Sequence, residues 1–306
     1  MSTEARRETL SPQSAIPYGI PPHGYRLPEA ARLGRVVLEV AELQRSLAYY
    51  REILGLELLE RGEQAALLGT QDGRPILELR ERPGARPVPR RGRLGLYHFA
   101  ILLPDRAALG RFAAHLARIG VYAGMADHRV SEALYLTDPD GLGIEVYADR
   151  PRSAWQTRGR ELVMATDPLD LPDLAAAGAG EPWTGMPAGT VLGHVHLHVS
   201  SLAEAAAFYH GSLGFDEMVW SYPGALFLAA GGYHHHLGVN TWAEGAPVAG
   251  PGDARLLEWE ILVPTETDAA GALASAAASG AQVALTATGG VAIDPWGIAV
   301  RFVVAP

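Results

Sequence analysis

The 306-residue chain combines 48% hydrophobic with 19% charged residues, a composition typical of soluble globular proteins, and it is long enough for two domains. Its net charge of -9 and isoelectric point near 5.7 argue against nucleic acids and anionic membranes as partners, and no apolar run approaches the ~20 residues that cross a bilayer. Because cysteine is absent, disulfides and thiolate ligands are excluded, and any metal must be held by histidine and carboxylate side chains.

Residues 1–33 are rich in proline, serine and glycine and show no sustained periodicity, which predicts an extended arm rather than a domain. His23 lies in this arm, and we interpret it as a solvated loop residue. The first residues are polar and lack the apolar segment of a signal peptide, so a cytoplasmic location is expected.

A repeat follows the arm. Residues 43–55 and 202–214 both place apolar residues at helical spacing and end in Leu-Gly, a sequence typical of helix C-caps. Each predicted helix follows a strand, at 36–40 and 195–199 respectively, and precedes further strand-like segments. The tyrosine and phenylalanine side chains of these helices are expected in the core. The pattern predicts a module of the order β-α-β-β-β.

Residues 96–104 and 256–264 resemble each other in the same way, and each segment is followed by an alanine-rich helix and an Asp-Pro hairpin. The chain is therefore predicted to be an α+β protein of four modules. These modules are expected at residues 34–82, 95–150, 190–243 and 255–305. The matching division of the chain is an arm at 1–33, a first domain at 34–150, a linker at 151–189 and a second domain at 190–306.

The second module contains a strong turn signal, Asp-Pro-Asp-Gly at 138–141, between strand-forming segments at 133–136 and 144–147. Side chains alternate along a strand, so Glu145 lies on the face opposite its two apolar neighbours. A carboxylate in a central strand is costly to desolvate unless it is paired, protonated or bound to a metal. The ordinary alternative is a solvated face of the sheet.

The stretch from His128 to Glu145, with Tyr135 and a Pro-Gly turn between them, resembles the signature of the type I extradiol ring-cleavage dioxygenases. Ala126 is the one departure from that pattern. Four modules in two halves likewise resemble the vicinal-oxygen-chelate (VOC) superfamily, which includes glyoxalase I, bleomycin-resistance proteins, fosfomycin-resistance enzymes and extradiol dioxygenases. Residues 95–102, 147–153 and 232–236 are similar to the glyoxalase-like group of bacterial catechol 2,3-dioxygenases.

The resemblance implies that metal ligands lie on the first and last strands of the modules. Modules 2 and 3 offer His98, Glu145 and His194 at these positions, and two histidines with one carboxylate suit Fe(II), with Mn(II) as the alternative. His196 and His198 share the face of His194, which we select because it aligns with His98. Modules 1 and 4 carry other residues there, namely Arg35, Glu258 and Arg301. The assignment requires module 2 to pair with module 3, and module 1 with module 4.

The resemblance also implies catalytic roles. His235 matches the acid/base histidine, which is expected on the last strand of module 3, with His234 or His236 in its place if the register of that strand is shifted by one. His128 and Tyr135 match residues that hydrogen-bond the substrate. The implied reaction is extradiol cleavage of a catechol by O2, giving a 2-hydroxymuconic semialdehyde-type product. We expect a homo-oligomer.

Two other functions are weighed against this one. A glyoxalase-like or epimerase-like lyase would bind Zn, Ni or Co through His98, Glu145 and either Glu78 or Glu39, but it would leave the spacing of His128, Tyr135 and His235 without a purpose. A binding protein of the bleomycin-resistance type would need a pocket and no metal site with three ligands.

Overall fold

The computed structural model describes residues 18–286 and 289–305. Residues 1–17 of the predicted arm lie outside the described part of the chain. His23 is exposed, as predicted for a loop residue. Among the described helices, none is both long and apolar enough to span a membrane.

The described part of the arm packs against the third and fourth modules. The hydroxyl of Tyr25 donates to the carbonyl of Asp268 at 2.9 Å, and Arg26 forms a bidentate ion pair with Asp216. These contacts join the arm to both modules before the first strand begins.

All four predicted modules are present, and each folds in the order β-α-β-β-β. Module 1 consists of β1 (Arg32–Val40), α1 (Leu43–Glu52), β2 (Glu57–Arg61), β3 (Ala65–Gly69) and β4 (Pro75–Glu81). Module 2 consists of β5 (Gly95–Leu102), α2 (Arg106–Ile119), β6 (Gly124–Asp127), β7 (Ser131–Thr137) and β8 (Gly143–Asp149).

The linker between the two halves has structure of its own. It contains a 3-10 turn (Arg152–Ala154), the short strands β9 (Thr157–Arg158) and β10 (Glu161–Leu162), and helix α3 (Leu171–Ala177). Helix α3 packs closely on α2 at Gly110. A Cβ added at this glycine would lie 2.3 Å from the carbonyl oxygen of Leu174, so the contact leaves no room for a side chain.

The second half repeats the first. Module 3 consists of β11 (Val191–His198), α4 (Leu202–Ala205) with a π-helical continuation (Ala206–Ser212), β12 (Asp216–Val219), β13 (Ala225–Ala229) and β14 (Leu237–Asn240). Module 4 consists of β15 (Arg255–Val263), α5 (Glu266–Ala278), β16 (Gln282–Thr286), β17 (Gly289–Ile293) and β18 (Ala299–Val304).

The helices predicted at 43–55 and 202–214 end slightly early, and the second changes to π-helical geometry. Gly55 and Gly214 follow them with φ angles of +77° and +89°, the left-handed backbone that the Leu-Gly signal predicts.

The strands form two mixed eight-stranded sheets, and each sheet joins modules from different halves of the chain. In one sheet, β1 of module 1 pairs antiparallel with β15 of module 4; in the other, β5 of module 2 pairs antiparallel with β11 of module 3. In every module the first strand also pairs in parallel with the last. The predicted pairing of module 2 with module 3 is confirmed. The predicted domain boundaries, at 34–150 and 190–306, stay a prediction.

Two buried hydrogen bonds connect the sheets. Tyr50 of α1 donates its hydroxyl proton to Asp138 at 2.9 Å, and Tyr209 of the π-helical segment donates to Asp294 at 2.6 Å. Each aspartate opens an Asp-Pro hairpin in a module of the opposite sheet. Both tyrosines are fully buried, as predicted for core residues.

Candidate metal centre

Three side chains from β5, β8 and β11 meet between the paired modules 2 and 3. The Nε2 atom of His98 lies 3.0 Å from Oε2 of Glu145, the Nε2 atom of His194 lies 3.1 Å from the same oxygen, and the two Nε2 atoms are 3.3 Å apart. All three side chains are buried. Strand alternation explains the placement, because Ile144 and Val146 on either side of Glu145 belong to the hydrophobic core.

The three donor atoms fit a metal ion. Ligand atoms ~2.1 Å from a metal and at right angles to one another lie about 3 Å apart, as these do. Without an ion, two imidazole nitrogens would face each other across a shared carboxylate oxygen. The Nδ1 atom of His194 is buried and has no hydrogen-bond partner in the described part of the chain. His98, Glu145 and His194 form a 2-His-1-carboxylate metal site.

Electrostatics favour the metal-binding protonation states. Burial is the main reason that the pKa of His194 is lowered to about 4, so its imidazole is neutral near pH 7. Burial by itself would raise the pKa of Glu145, but His194 and His98 outweigh it and hold that pKa well below its ordinary value. A neutral imidazole and an ionised carboxylate are the forms that coordinate a metal.

His128 and Tyr135 form a hydrogen-bonded pair beside the triad. The Nδ1–H of His128 donates to the carbonyl of Ala165 in the linker at 2.7 Å, which leaves Nε2 to accept from the Tyr135 hydroxyl at 2.6 Å. The Tyr135 ring lies 5.5 Å from the ring of His98. The linker therefore sets the tautomer of His128.

A second hydrogen-bonded series ends on His235. Asp149 accepts from Nε2 of His234 at 2.8 Å, and Nδ1 of His234 lies 2.7 Å from Nδ1 of His235. The ring of His235 lies 4.0 Å from that of His194. Since Nε2–H of His234 donates to the carboxylate, Nδ1 of His234 accepts from Nδ1–H of His235, and the remaining acceptor of His235 is its Nε2.

The prediction that residues 234–236 form part of the last strand of module 3 is wrong. Strand β14 begins only at Leu237, and these three histidines lie in irregular backbone that follows the turn at Gly231 and Gly232. Strand alternation therefore does not apply, and all three are buried. His235 nevertheless lines the same cavity as His98 and Glu145.

His196 and His198 lie on the same strand as His194 and are held by one amide. Asn240 accepts from the backbone N–H of Trp242 and from Nδ1 of His198, and its amide nitrogen donates to Nε2 of His196 at 2.9 Å. Both histidines are thereby engaged outside the triad, which agrees with the selection of His194.

A cavity of about 300 Å³ lies beside the triad and is lined by His98 and Glu145. Aromatic and methionine side chains form much of its wall, and a hydrogen bond of 2.7 Å between the hydroxyls of Thr166 and Tyr222 bridges two of its lining residues. Its lining includes His98, Glu145, His128, Tyr135, His196, His235, Tyr97, Phe227, Trp242, Met125 and Met164.

The equivalent positions of modules 1 and 4 hold ion pairs. Arg301 makes two hydrogen bonds of 2.6 Å to Glu258, and Arg35 contacts Glu78 and Glu260. Glu39 of β1 pairs with Arg255 of β15. The alternative lyase site, in which Glu78 or Glu39 joins His98 and Glu145, is therefore wrong, because both glutamates lie in the other sheet.

Several residues around the site were not predicted from the sequence. Asp149 and Asn240 orient histidines, and Ala165 contributes only a backbone carbonyl, which leaves no trace in the sequence. Gly193 is also needed, because a Cβ there would lie 1.8 Å from the hydroxyl of Tyr147. The run of three histidines was the only available signal for the series that ends on His235.

Comparisons with known proteins agree with this geometry. The family model of the Glyoxalase/Bleomycin resistance protein/Dioxygenase superfamily matches residues 32–146. A catechol-2,3-dioxygenase of Bacillus subtilis (strain 168) is 47% identical over 239 residues, which cover 77% of this chain and 83% of the relative.

Solved structures share the fold at low identity. A candidate dioxygenase from Bacillus subtilis has a TM-score of 0.63 at 14% identity and covers 92% of this chain and 87% of its own. Glyoxalase I from Zea mays has a TM-score of 0.53 at 20% identity, with coverages of 90% and 92%. Identity, fold and metal site together show that the chain belongs to the glyoxalase/bleomycin resistance protein/dioxygenase superfamily, as a catechol-2,3-dioxygenase-like enzyme.

Proposed function

We propose that this protein catalyses extradiol cleavage of a catechol by O2, with Fe(II) held by His98, Glu145 and His194. The observation that carries the proposal is the mutual spacing of 3.0 to 3.3 Å among the three buried donor atoms, at one end of a cavity that also contains His235 and Tyr135. The relative that is 47% identical bears the name catechol-2,3-dioxygenase, which supports the choice of substrate.

The chemistry that iron supplies when bound is redox chemistry with dioxygen and Lewis-acid activation of the catechol hydroxyls. The set of two imidazoles and one carboxylate favours Fe(II), and Mn(II) is the alternative that the same donors accept.

His235 acts as the proton acceptor for one catechol hydroxyl. Asp149 and His234 together leave its Nε2 unprotonated, and burial among other histidines lowers the pKa of His235 well below its ordinary value, so the ring enters the reaction neutral. A base with its proton-accepting atom already selected needs no tautomer change before it reacts.

Tyr135, oriented by His128, holds a substrate oxygen on the other side of the cavity. Burial, and after it the charge of Glu145, raises the pKa of Tyr135 well above its ordinary value, so the phenol stays neutral. Its hydroxyl donates to His128, and the lone pairs of the phenolic oxygen remain available to a substrate hydroxyl.

The wall of the cavity positions the ring and limits access of water. Tyr97, Phe227 and Trp242 present aromatic surfaces, which pack well against an aromatic substrate. A low-polarity surrounding also strengthens the hydrogen bonds made to the catechol oxygens.

The test is to load the purified protein with Fe(II) under anaerobic conditions, add catechol and admit air. We expect a yellow ring-cleavage product and the consumption of one O2 for each catechol. Iron-loaded protein that binds catechol and consumes no O2 would contradict the proposal and favour a binding protein. Parallel loading with Mn(II) identifies the metal that supports turnover.

We also propose a homo-oligomer and a cytoplasmic location, as expected from the sequence. Light scattering of the metal-loaded protein tests the first expectation, and a mass equal to one chain would contradict it. Fractionation of cells that express the protein tests the second.

A further inference from the structure

The cavity carries an unneutralised positive charge at its edge. Residues 89–92 form a tight turn in which the N–H of Gly92 donates to the carbonyl of Pro89 at 2.8 Å. Arg90 and Arg91 occupy its two central positions, and Arg91 has a φ of +54°, a left-handed conformation that is uncommon for arginine. The turn presents two adjacent guanidinium groups, both exposed.

Neither arginine has an ion-pair or side-chain hydrogen-bond partner among residues 18–286 and 289–305. Two nearby arginines do have an ion-pair partner. Arg86 and Arg93 both pair with Asp253, at distances of 2.8 and 2.9 Å. In a protein with a net charge of -9, these two adjacent cations place a local positive charge beside the cavity.

Arg90 and Arg91 line cavities at the proposed active site. Arg90 lines the same 300 Å³ cavity as His98 and Glu145. Arg91 lines an adjoining cavity of about 520 Å³, which shares Arg90, His98 and other lining residues with the first. A ligand bound at the triad therefore lies in a cavity that Arg90 lines, with Arg91 in the adjoining one.

The cavity is larger than a catechol ring requires. A cavity of about 150 Å³ accepts benzene, and this one has roughly twice that volume before the adjoining space is counted. The additional space extends to the arginine turn, so a ring substituent has room there.

We propose that the substrate is a catechol with an anionic substituent, such as a carboxylate on the ring or on a short side chain, and that Arg90 with Arg91 binds this group. The inference rests on the proposed function. Guanidinium groups bind carboxylates through paired, charge-assisted hydrogen bonds, which orient the ligand as well as attract it. The same contact would fix which edge of the ring faces His235.

The experiment compares uncharged and anionic catechols on the iron-loaded protein. The uncharged probes are catechol and 4-methylcatechol, and the anionic probes are 3,4-dihydroxybenzoate and 3,4-dihydroxyphenylacetate. Variants Arg90→Gln, Arg91→Gln and the double variant are measured beside Arg61→Gln, an arginine that lines a separate groove against α1. Anaerobic binding titrations at low and high salt give a readout that does not depend on turnover.

We expect wild-type protein to prefer an anionic catechol, and the double variant to lose about tenfold or more in kcat/KM and in affinity for it, mostly through KM. Turnover of catechol should stay within about twofold in all variants, and Arg61→Gln should match wild type. Salt should weaken binding of the anionic probes alone.

Cleavage of catechol with no preference for anionic probes, or a preference that persists in the double variant, would overturn the inference and leave the proposed function standing. If iron-loaded wild-type protein turned over none of the probes, the proposed function would be refuted, and the inference with it.

Discussion

His234 lies between Asp149 and His235, with 2.8 Å from its Nε2 to the carboxylate and 2.7 Å from its Nδ1 to that of His235. An aspartate that touches neither the triad nor the substrate cavity thus decides which nitrogen of His235 carries a proton. Asp149 is a positioning residue for the proposed base.

Replacing Asp149 with asparagine tests this relationship. An amide can donate to Nε2 of His234, which would reverse both tautomers and place a proton on Nε2 of His235. We expect kcat to fall roughly 10²-fold with the iron content unchanged. Tyr233→Phe is the matched control, because it removes a hydrogen bond of 3.1 Å to the same carboxylate and one of 2.6 Å to the hydroxyl of Tyr147, while the contact between Asp149 and His234 stays in place. Equal losses in both variants would show a merely structural effect.

The three proposed ligands should be separable from the proposed base. We expect His98→Ala, Glu145→Ala and His194→Ala to abolish metal retention, because two remaining donors hold a divalent ion weakly. His235→Ala should keep the metal and lose most turnover. Metal analysis after desalting, together with O2 uptake, checks both statements. Retention of iron in all three ligand variants would refute the assignment of the site.

Modules 1 and 4 should contribute stability rather than chemistry. Arg301→Ala leaves the buried Glu258 without its partner, and we expect the free energy of unfolding to drop by about 1–3 kcal/mol. Turnover should be unchanged. Urea denaturation and steady-state kinetics measure the two effects, and Glu258→Gln in the same chain should recover part of the stability. A collapse of turnover in a folded variant would mean that this sheet takes part in catalysis.

The aspartates of the two hairpins should make stability depend on pH. Burial raises the pKa of Asp138 and of Asp294 from 3.8 to about 6. Between these values the folded protein binds more protons than the unfolded chain, so this contribution to stability is full below pH 3.8 and is lost as pH rises through about 6.

We therefore expect the double variant Asp138→Asn, Asp294→Asn to lose less free energy of unfolding than wild type between pH 4.5 and pH 7. Denaturant titrations of metal-free protein at several pH values measure this difference. Glu57→Gln, a change on an exposed strand position, serves as the control and should follow wild type. Parallel curves for the double variant and wild type would contradict the prediction.

Local patterns in the sequence were sufficient for the modules and for much of the site. Periodicity of two or 3.6 residues reports which face of an element is buried, and this information is contained within each segment. The spacing of His128, Tyr135 and Glu145 around the hairpin is likewise local, since one strand pair and one turn determine it. The internal alignment of first strands was enough to select His98 and His194.

Contacts between distant segments were decided by the tertiary structure alone. Pairing of β5 with β11 joins residues almost 100 positions apart, and hydrophobic periodicity does not specify which module edge meets which. Asp149 reaches His234 only after that pairing has formed, and Ala165 reaches His128 only when the linker folds back beside β6. The placement of His235 depends on irregular backbone, which follows no repeat. The sequence by itself determined the modules and the donor residues, whereas the tertiary structure decided how their protons and neighbours are arranged, because those contacts arise from long-range packing.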